Sequence, residues 1–295
     1  MRIVTRPDFD GIVCDVLLRD VLDIDSPTKW VEPYELNDCA GSIGENDIIA
    51  NLPLVEGCAL WFDHRITNKT EIAFKGAFAE APSAAGIIHN YYNGLFSHDF
   101  NELVSQTDRI DSGNITIDEV LNIENHPYAI LASTISGRNK MDTPYWNSVV
   151  SLLSSHSIEE VLRDTEVNRR CVNIIEQDKI YSRYLNEYTG IIKNTAVTDF
   201  RTLETEPKGN RFLVYSLFPD ILVDVKIRFS TYDREKIIVS LGRNIFNSGS
   251  KINLGELVSK YGGGGHSGAG SCSFHKSMAE KNIGEILDIL MKNEM

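Results

Sequence analysis

Short apolar runs alternate with amphipathic patterns along the first half of the chain. Strand-like runs lie at residues 2–5, 29–32, 47–50 and 59–62, and helical patterns lie at 10–22, 83–92 and 100–106. In the first helical pattern, Ile12, Val16 and Leu17 recur at the spacing of one helix face. Strands that alternate with helices are typical of a largely parallel sheet covered by helices on both faces, so we predict an α/β fold. Ligands of such sheets bind outside the carboxyl ends of the strands.

The pattern changes in the second half of the chain. Residues 157–185 form a long polar helical stretch, which begins with a capping box of Ser157 and Glu160. β-rich runs follow at residues 190–193, 212–216, 223–229 and 236–241, and helical patterns at 254–260 and 283–292. We therefore predict an N-terminal domain at 1–156, a linker helix at 157–189, and a smaller C-terminal α/β domain with a mixed sheet at 190–295.

Composition places the chain among soluble globular proteins. It has 295 residues, of which 42% are hydrophobic and 24% are charged. No apolar run approaches the ~20 residues that span a bilayer, so we expect no membrane partner. The five cysteines are scattered and form no closely spaced pair, which is typical of free thiols in a reducing compartment. The expected location is the cytoplasm, and homodimer formation is left open.

The net charge of −13 is informative about partners. Proteins that track long nucleic acids usually carry a basic surface that displaces counterions from the phosphates. An acidic protein can still bind a small phosphorylated ligand through a few local cations. The charge therefore favours a small phosphorylated substrate or a short oligonucleotide.

Acidic residues follow two of the predicted strands. Asp8 and Asp10 lie between the first strand and the first helix, and Asp63 and His64 follow the strand at 59–62. Two close carboxylates need a counter-charge, which a metal or the neighbouring Arg6 can supply. A mixture of aspartate and histidine favours Mn²⁺ over Mg²⁺. The alternative is that Asp8 only caps the helix and the carboxylate pair is solvated.

A glycine-rich string at residues 261–270 (Tyr-Gly-Gly-Gly-Gly-His-Ser-Gly-Ala-Gly) is the most specific feature of the sequence. Successive glycines bring backbone N–H groups close to an anion, and His266 adds an imidazole donor. A flexible linker is the alternative, but linkers are built from glycine and serine repeats without a defined histidine. The preceding helical pattern also indicates an ordered loop.

Four segments in the first half resemble, in order and spacing, the motifs of the DHH superfamily of phosphoesterases. Residues 5–11 (Thr-Arg-Pro-Asp-Phe-Asp-Gly) are similar to the first motif, His-x-Asp-x-Asp-(Gly/Ala). Residues 47–53 take the place of the second, residues 62–65 (Phe-Asp-His-Arg) that of Asp-His-His, and residues 107–111 that of the fourth. The resemblance implies a metal-dependent hydrolase of phosphoric esters with one or two Mn²⁺ or Mg²⁺ ions.

The resemblance also implies roles for individual residues. Asp10, His64 and Asp108 are expected to bind one metal ion and Asp8 the other. Asp63 is expected to orient the His64 ring through a hydrogen bond. Asp111 is the alternative to Asp108, and the sequence alone does not separate them.

The glycine string resembles the signature of the DHH-associated C-terminal domain, Gly-Gly-Gly-Gly-His-x-x-Ala-Gly. Upstream, residues 240–243 (Ser-Leu-Gly-Arg) are similar to a strand that carries a phosphate-binding arginine in that domain. The resemblance implies that Arg243, Gly263, Gly264, Gly265 and His266 bind substrate. For Arg243, the alternative is a solvated arginine at the end of a strand.

Three positions depart from the family pattern. Arg6 stands where a metal-binding histidine is expected, Asn51 where a bridging aspartate is expected, and Arg65 where the second histidine of Asp-His-His is expected. Arginine stays protonated and cannot be a ligand, while Asn51 offers only a neutral carbonyl oxygen as a metal ligand. Both guanidinium groups suit contact with phosphate and are, with Asp63, the candidate catalytic residues.

Two functions are therefore compared. The favoured one is hydrolysis of a short oligonucleotide, a nucleoside bisphosphate or a cyclic dinucleotide by a metal-activated water, with polyphosphate as the next substrate class. The other is a degenerate DHH protein that binds a phosphorylated ligand without turning it over.

Overall fold

The computed structural model describes residues 1–293, which form two units. The first unit comprises residues 1–115 and 123–174. Its five strands are all parallel, in the order β2-β1-β3-β4-β5. They are β1 (Arg2–Thr5), β2 (Lys29–Trp30), β3 (Asp47–Ala50), β4 (Leu60–Asp63) and β5 (Gly76–Phe78). The helices of this unit, numbered with all the helices in chain order, are α1 (Phe9–Leu22), α2 (Leu36–Cys39), α3 (Ala84–Tyr91), α4 (Asn101–Asp111), α6 (Pro127–Ser133), α7 (Thr143–Leu153), α8 (Ile158–Arg163) and the first part of α9 (Thr165–Tyr188).

The central strands are buried on both faces. Ile48, Ile49, Trp61 and Phe62 have no solvent exposure. Such continuous apolar strands are typical of a parallel sheet that is covered on both sides. The ends of β1, β3 and β4 coincide, since Thr5 pairs with Ala50 and Ala50 pairs with Phe62. The residues that follow these strands therefore emerge at one edge of the sheet.

The turn between β1 and α1 is tight. Asp8 caps the helix, because its Oδ1 accepts a hydrogen bond from Gly11 N at 2.9 Å. A Cβ at Gly11 would lie 1.9 Å from the carbonyl oxygen of Arg6, so this position has no room for a side chain. Glycine here lets α1 begin directly after β1.

The second unit comprises residues 116–122 and the described chain from Ile175 onward. Its strands are in the order β10-β11-β9-β8-β7-β6, and all neighbours are antiparallel except β7 and β8. They are β6 (Thr189–Ile192), β7 (Thr195–Asp199), β8 (Val223–Phe229), β9 (Lys236–Arg243), β10 (Gly264–His266) and β11 (Ala269–His275). The helices are α5 (Ile117–Leu121), α10 (Leu213–Leu217), α11 (Leu254–Ser259), α12 (Ala279–Lys292) and the second part of α9.

Alternate residues of β8 and β9 point into the core of the second unit. Val225 on β8 and Val239 on β9 have no solvent exposure and pack with Val258 of α11 and Ile286 of α12. Residues at the intervening positions point to the opposite face of the sheet. The predicted α/β class is confirmed, with a parallel sheet in one unit and a mixed sheet in the other.

The prediction of a strand at residues 212–216 was wrong. This stretch enters α10, which packs against α5 within the second unit. An apolar run of five residues fits a buried helical turn as well as a strand, and periodicity cannot decide between them. Four strands were not foreseen: β5, β7, β10, which runs through the glycine string, and β11, which follows it.

The predicted domain boundaries remain a proposal. The linker predicted at 157–189 contains α8 and α9, and the units divide within α9. The inclusion of residues 116–122 in the second unit was not foreseen. Among residues 1–293, no helix has both the length and the apolar character to cross a bilayer.

Candidate functional site

The carboxyl edge of the parallel sheet gathers acidic side chains. Asp10 comes from the first turn of α1, and His64 follows β4. Asp111 is the last residue of α4. One ligand atom from each of these three residues lies within 4.8 Å of the others, and within the described residues they are the one such group. The sheet edge therefore carries a possible metal site of two carboxylates and one imidazole.

The His64 ring is oriented as a ligand. Its Nδ1 lies 3.0 Å from the carbonyl oxygen of Ala81, which can only accept, so Nδ1 carries the proton. In the neutral ring, Nε2 then presents a lone pair. It lies 3.3 Å from Asp111 Oδ2 and 3.8 Å from Asp10 Oδ2, and it is buried without a hydrogen-bond partner among the described residues. A buried lone pair that faces two carboxylate oxygens fits a cation between them.

Asp10 is held by the start of α3. Its oxygens accept hydrogen bonds from the backbone N–H groups of Ala84 at 3.0 Å and Ala85 at 2.9 Å. The side chain has no solvent exposure, and burial raises the pKa of Asp10 well above its usual value, with further contributions from Asp111 and Asp8. The carboxylate is thus fixed in a place where a cation would stabilise its charge.

Asp108, the expected ligand, contacts a different group. Its Oδ1 accepts a hydrogen bond from Ser83 Oγ at 2.5 Å, and Ser83 Oγ in turn caps α3 by accepting from Gly86 N at 2.9 Å. Asp108 is not part of the three-residue group at the sheet edge. The geometry favours the alternative, Asp111, as the ligand.

Asp63 shapes the turn after β4. Its Oδ1 accepts from the backbone N of His64 at 2.8 Å and of Arg65 at 3.4 Å, and its Oδ2 accepts from Asn68 Nδ2 at 2.6 Å. The bond to the imidazole ring that was expected from Asp63 is made by Ala81 O instead. Because that acceptor is a backbone carbonyl, no residue type in the sequence could have indicated it.

The remaining candidates form a second network beside the possible metal site. Arg6 Nη1 lies 3.2 Å from Asp8 Oδ2, and Asp8 Oδ1 accepts a hydrogen bond from Asn51 Nδ2 at 2.8 Å. Arg65 Nη1 donates to Asn51 Oδ1 at 2.5 Å. The largely buried position of Asp8 raises its pKa to about 6, although Arg6 lowers it.

Glu32 also belongs to this network and was not foreseen. Its Oε2 lies 3.2 Å from Arg6 Nε. The available signal was its position at the end of the strand-like run 29–32, at the carboxyl edge of the sheet. After β1 and β4, β2 is thus the third strand of this sheet with an acidic residue at its carboxyl end.

In the second unit, the glycine string is an ordered strand and turn. A Cβ at Gly263 would lie 2.2 Å from Ser271 O, and a Cβ at Gly265 would lie 2.2 Å from Ala269 O. Both positions thus require glycine because β11 approaches the string closely. His266 is exposed, and its Nδ1 accepts a hydrogen bond from Gly268 N at 3.2 Å.

Arg243 ends β9 and holds the turn that follows the glycines. Its Nη2 donates to the carbonyl oxygens of Ile252 at 2.8 Å and Ser267 at 3.2 Å. Its Nε is buried and has no hydrogen-bond partner among the described residues. The arginine is therefore ordered by the turn rather than solvated, and its buried Nε is without a partner among the described residues.

Matches to known proteins were found only when structures were compared. No family model matches the chain, and no curated protein is matched by sequence. The structure resembles the pGpG-specific phosphodiesterase PggH from Vibrio cholerae, with a TM-score of 0.89, 29% identity and 99% coverage of both chains.

Two further likenesses concern the fold. One is an exopolyphosphatase-related protein from Bacteroides fragilis, with a TM-score of 0.58, 15% identity, and coverage of 99% of this chain and 92% of the other. Another is RecJ from Thermus thermophilus in complex with Mn²⁺, with a TM-score of 0.53, 11% identity, and coverage of 99% of this chain and 52% of the other. These two matches show the fold alone.

The likeness to PggH, at 29% identity over 99% of both chains, supports the DHH superfamily of phosphoesterases that the motifs predicted. A metal-dependent phosphoesterase, a hydrolase that acts on phosphoric esters, fits these likenesses.

Proposed function

We propose that this protein hydrolyses a short linear dinucleotide of the pGpG type at its internal phosphodiester bond. The likeness to PggH over the full length of both chains supports this substrate class. The acidic net charge of −13 supports a small substrate over a polymer. Cyclic dinucleotides, nucleoside bisphosphates and polyphosphate rank below the linear dinucleotide.

The observation that carries the proposal is the lone pair of His64 Nε2, which faces Asp10 and Asp111. We propose these three residues as the ligands of a divalent cation. Imidazole together with carboxylates favours Mn²⁺, with Mg²⁺ as the alternative. A divalent cation in this place supplies a Lewis acid for a phosphoryl oxygen and lowers the pKa of a coordinated water.

The chain's own residues have separate roles in this proposal. Arg6 and Arg65 contact the phosphoryl oxygens and offset their charge, and Asp63 positions His64 and Arg65 by accepting from their backbone N–H groups. The side chain of Arg6 is 34% exposed and that of Arg65 is 29% exposed, so a ligand can reach both guanidinium groups.

In the second unit, we propose that the glycine string and Arg243 bind a phosphate or nucleotide end of the substrate. The unpartnered Nε of Arg243 and the exposed ring of His266 support this role, together with the backbone of Gly263, Gly264 and Gly265. A cytoplasmic location is proposed as well, since all five cysteines are free thiols.

Turnover of defined substrates tests the proposal. Protein freed of metal and reloaded with Mn²⁺ is incubated with pGpG, cyclic di-GMP, polyphosphate and bis-p-nitrophenyl phosphate, and the products are separated by chromatography. We expect pGpG to be hydrolysed to guanosine monophosphate with the highest kcat/KM, and Asp10→Asn to abolish turnover. Binding of pGpG without turnover at any Mn²⁺ concentration would establish a binding protein in place of an enzyme.

A further inference from the structure

Hydrogen bonds and an ion pair occupy the position where a second metal ion is expected, beside the possible metal site. Asp8 is the carboxylate expected to serve a second metal ion, yet both of its oxygens are in use. Its Oδ2 faces Arg6 Nη1 at 3.2 Å, and its Oδ1 accepts from Gly11 N at 2.9 Å and from Asn51 Nδ2 at 2.8 Å. A cation at Asp8 would have to displace a guanidinium and an amide.

The orientation of Asn51 follows from its neighbours. A carboxylate such as Asp8 only accepts hydrogen bonds, and a guanidinium such as Arg65 only donates them. The amide nitrogen of Asn51 must therefore face Asp8, and its oxygen must face Arg65. Asn51 has no solvent exposure, and its carbonyl oxygen, the one atom that could bind a metal, is turned toward a cationic group.

Arg6 is held from two sides. Its Nη1 faces Asp8, and its Nε faces Glu32 Oε2 at 3.2 Å. A Cβ at Gly137 would lie 1.9 Å from Glu32 Oε1, so the chain packs closely against this carboxylate. The Arg6 side chain is 34% exposed and can be reached by a ligand.

The charges around this centre leave two negative charges without a partner. Arg6 faces Asp8 and Glu32, and Arg65 Nη2 lies 3.7 Å from Asp111 Oδ2. With Asp8, Asp10, Glu32 and Asp111 ionised, the two guanidinium groups offset two of the four carboxylates, and a pair of negative charges remains. One divalent cation balances the pair, and a second cation would lie between two guanidinium groups without an anionic ligand of its own.

We propose that this centre binds a single divalent cation, and that the guanidinium groups of Arg6 and Arg65 bind the substrate's phosphate in the place of a second cation. This inference rests on the proposed role of Asp10, His64 and Asp111. A guanidinium binds two phosphate oxygens in parallel, as a cation does, but it cannot coordinate and activate water. Only the single cation would therefore be able to activate a water molecule.

Counting the ions tests the inference without any substrate. Metal-free full-length protein is titrated with Mn²⁺, and binding is followed by calorimetry, elemental analysis and electron paramagnetic resonance. We expect one Mn²⁺ per chain and a spectrum of isolated ions without exchange coupling. Two ions per chain with a coupled spectrum would overturn the inference, and they would leave the proposed substrate and turnover untouched.

Restoring the family residues provides the matched variant. In the combined variant Arg6→His, Asn51→Asp, Arg65→His, we expect two Mn²⁺ per chain, because the guanidinium groups and the amide that close the second place are gone. Circular dichroism confirms that this variant is folded. A folded variant that still binds one ion contradicts the role assigned to the guanidinium groups.

Phosphate binding provides an independent measurement. Inorganic phosphate is titrated into the Mn²⁺-loaded protein, and we expect Arg65→Gln to weaken its binding about tenfold or more because a charge-assisted contact is lost. The number of bound Mn²⁺ ions stays unchanged. Arg169→Gln, which removes an exposed arginine paired with Glu166 on α9, is the control and binds phosphate as the unaltered protein does. Equal phosphate affinity in both variants would refute the phosphate-binding role.

Discussion

Asp108 and Asp111 lie three residues apart on α4, where side chains share one helix face. Sequence spacing therefore could not decide which of them reaches the sheet edge. The structure separates them by their partners, since Asp108 accepts from Ser83 Oγ and Asp111 faces His64 Nε2. The choice depends on where α3 begins, and α3 comes from a distant part of the sequence.

This separation leads to a prediction on metal affinity. Asp111→Asn is expected to weaken Mn²⁺ binding by about tenfold or more, because an anionic ligand is replaced by a neutral amide. Asp108→Asn is expected to retain Mn²⁺ affinity and to lower the free energy of unfolding by about 1 kcal/mol, through the weakened bond to Ser83. Calorimetry and urea unfolding measure the two effects, and a reversed order of Mn²⁺ affinities would restore Asp108 as the ligand.

Gly11 permits a second prediction at the residue scale. A methyl group at this position would lie 1.9 Å from Arg6 O and 2.9 Å from Thr5 Oγ1. Gly11→Ala is expected to lower the free energy of unfolding by about 1–3 kcal/mol, because the backbone that carries Arg6 must move. Urea unfolding provides the measurement.

Gly284 is the matched control for Gly11. It lies within α12 and is exposed, and a methyl group at this position would have no neighbouring atom within 4 Å. Gly284→Ala is expected to raise the free energy of unfolding by about 0.5–1 kcal/mol through helix propensity. If both substitutions change the free energy of unfolding in the same direction and by a similar amount, lack of space is not the reason for glycine at position 11.

At the scale of elements, the parallel sheet was the easiest part to predict. Its strands β1, β3 and β4 are continuous apolar runs, and each is followed by polar residues of the candidate site. The edge strand β5 was missed because its three residues, Gly-Ala-Phe, carry no alternation. The run at 212–216 was assigned to the wrong element because tertiary packing decides short apolar stretches.

The strand β8 contains a buried acid with consequences for stability. Asp224 is 9% exposed, and burial raises its pKa to about 7, although Lys226 and a hydrogen bond from Thr198 lower it. Two tyrosines face it from neighbouring helices, Tyr215 of α10 and Tyr181 of α9. The folded chain therefore binds a proton at Asp224 that an unfolded chain, with a carboxyl pKa of about 3.9, releases.

The sign of the pH effect follows from this difference. The pKa of Asp224 is higher in the folded chain than in the unfolded chain. The contribution of Asp224 to the free energy of unfolding is therefore full below about pH 4 and is lost as the pH rises through about 7. Asp224→Asn is expected to be more stable than the unaltered protein at pH 8, by on the order of 3 kcal/mol, and to lose this advantage near pH 4. Urea unfolding at several pH values measures the difference, and the exposed Asp220→Asn serves as the control. A pH-independent difference would show that Asp224 does not titrate in this range.

At the scale of the whole molecule, the order of motifs along 295 residues predicted more than any single motif did. The fold class, the resemblance to the DHH superfamily and the sheet edge that carries the candidate site followed from that order. The network around Asn51 did not follow from it, because Arg6, Arg65 and Glu32 could be recognised as partners only when their atoms were placed. Substitutions at motif positions are informative about chemistry only together with the residues they contact.

The net charge of −13 predicts a short substrate rather than a long nucleic acid. If local cations such as Arg6 and Arg65 neutralise the two phosphates of pGpG, its affinity falls with salt as expected for about two neutralised phosphates. Between 50 and 200 mM salt, that dependence amounts to about sevenfold, whereas a groove with about six phosphate contacts would lose about 300-fold. We expect the KM for pGpG to follow the shallow dependence, and an unlabelled single-stranded RNA of about 30 nucleotides to compete weakly. A steep salt dependence, or strong competition by the long RNA, would instead indicate a basic groove and a polymeric substrate.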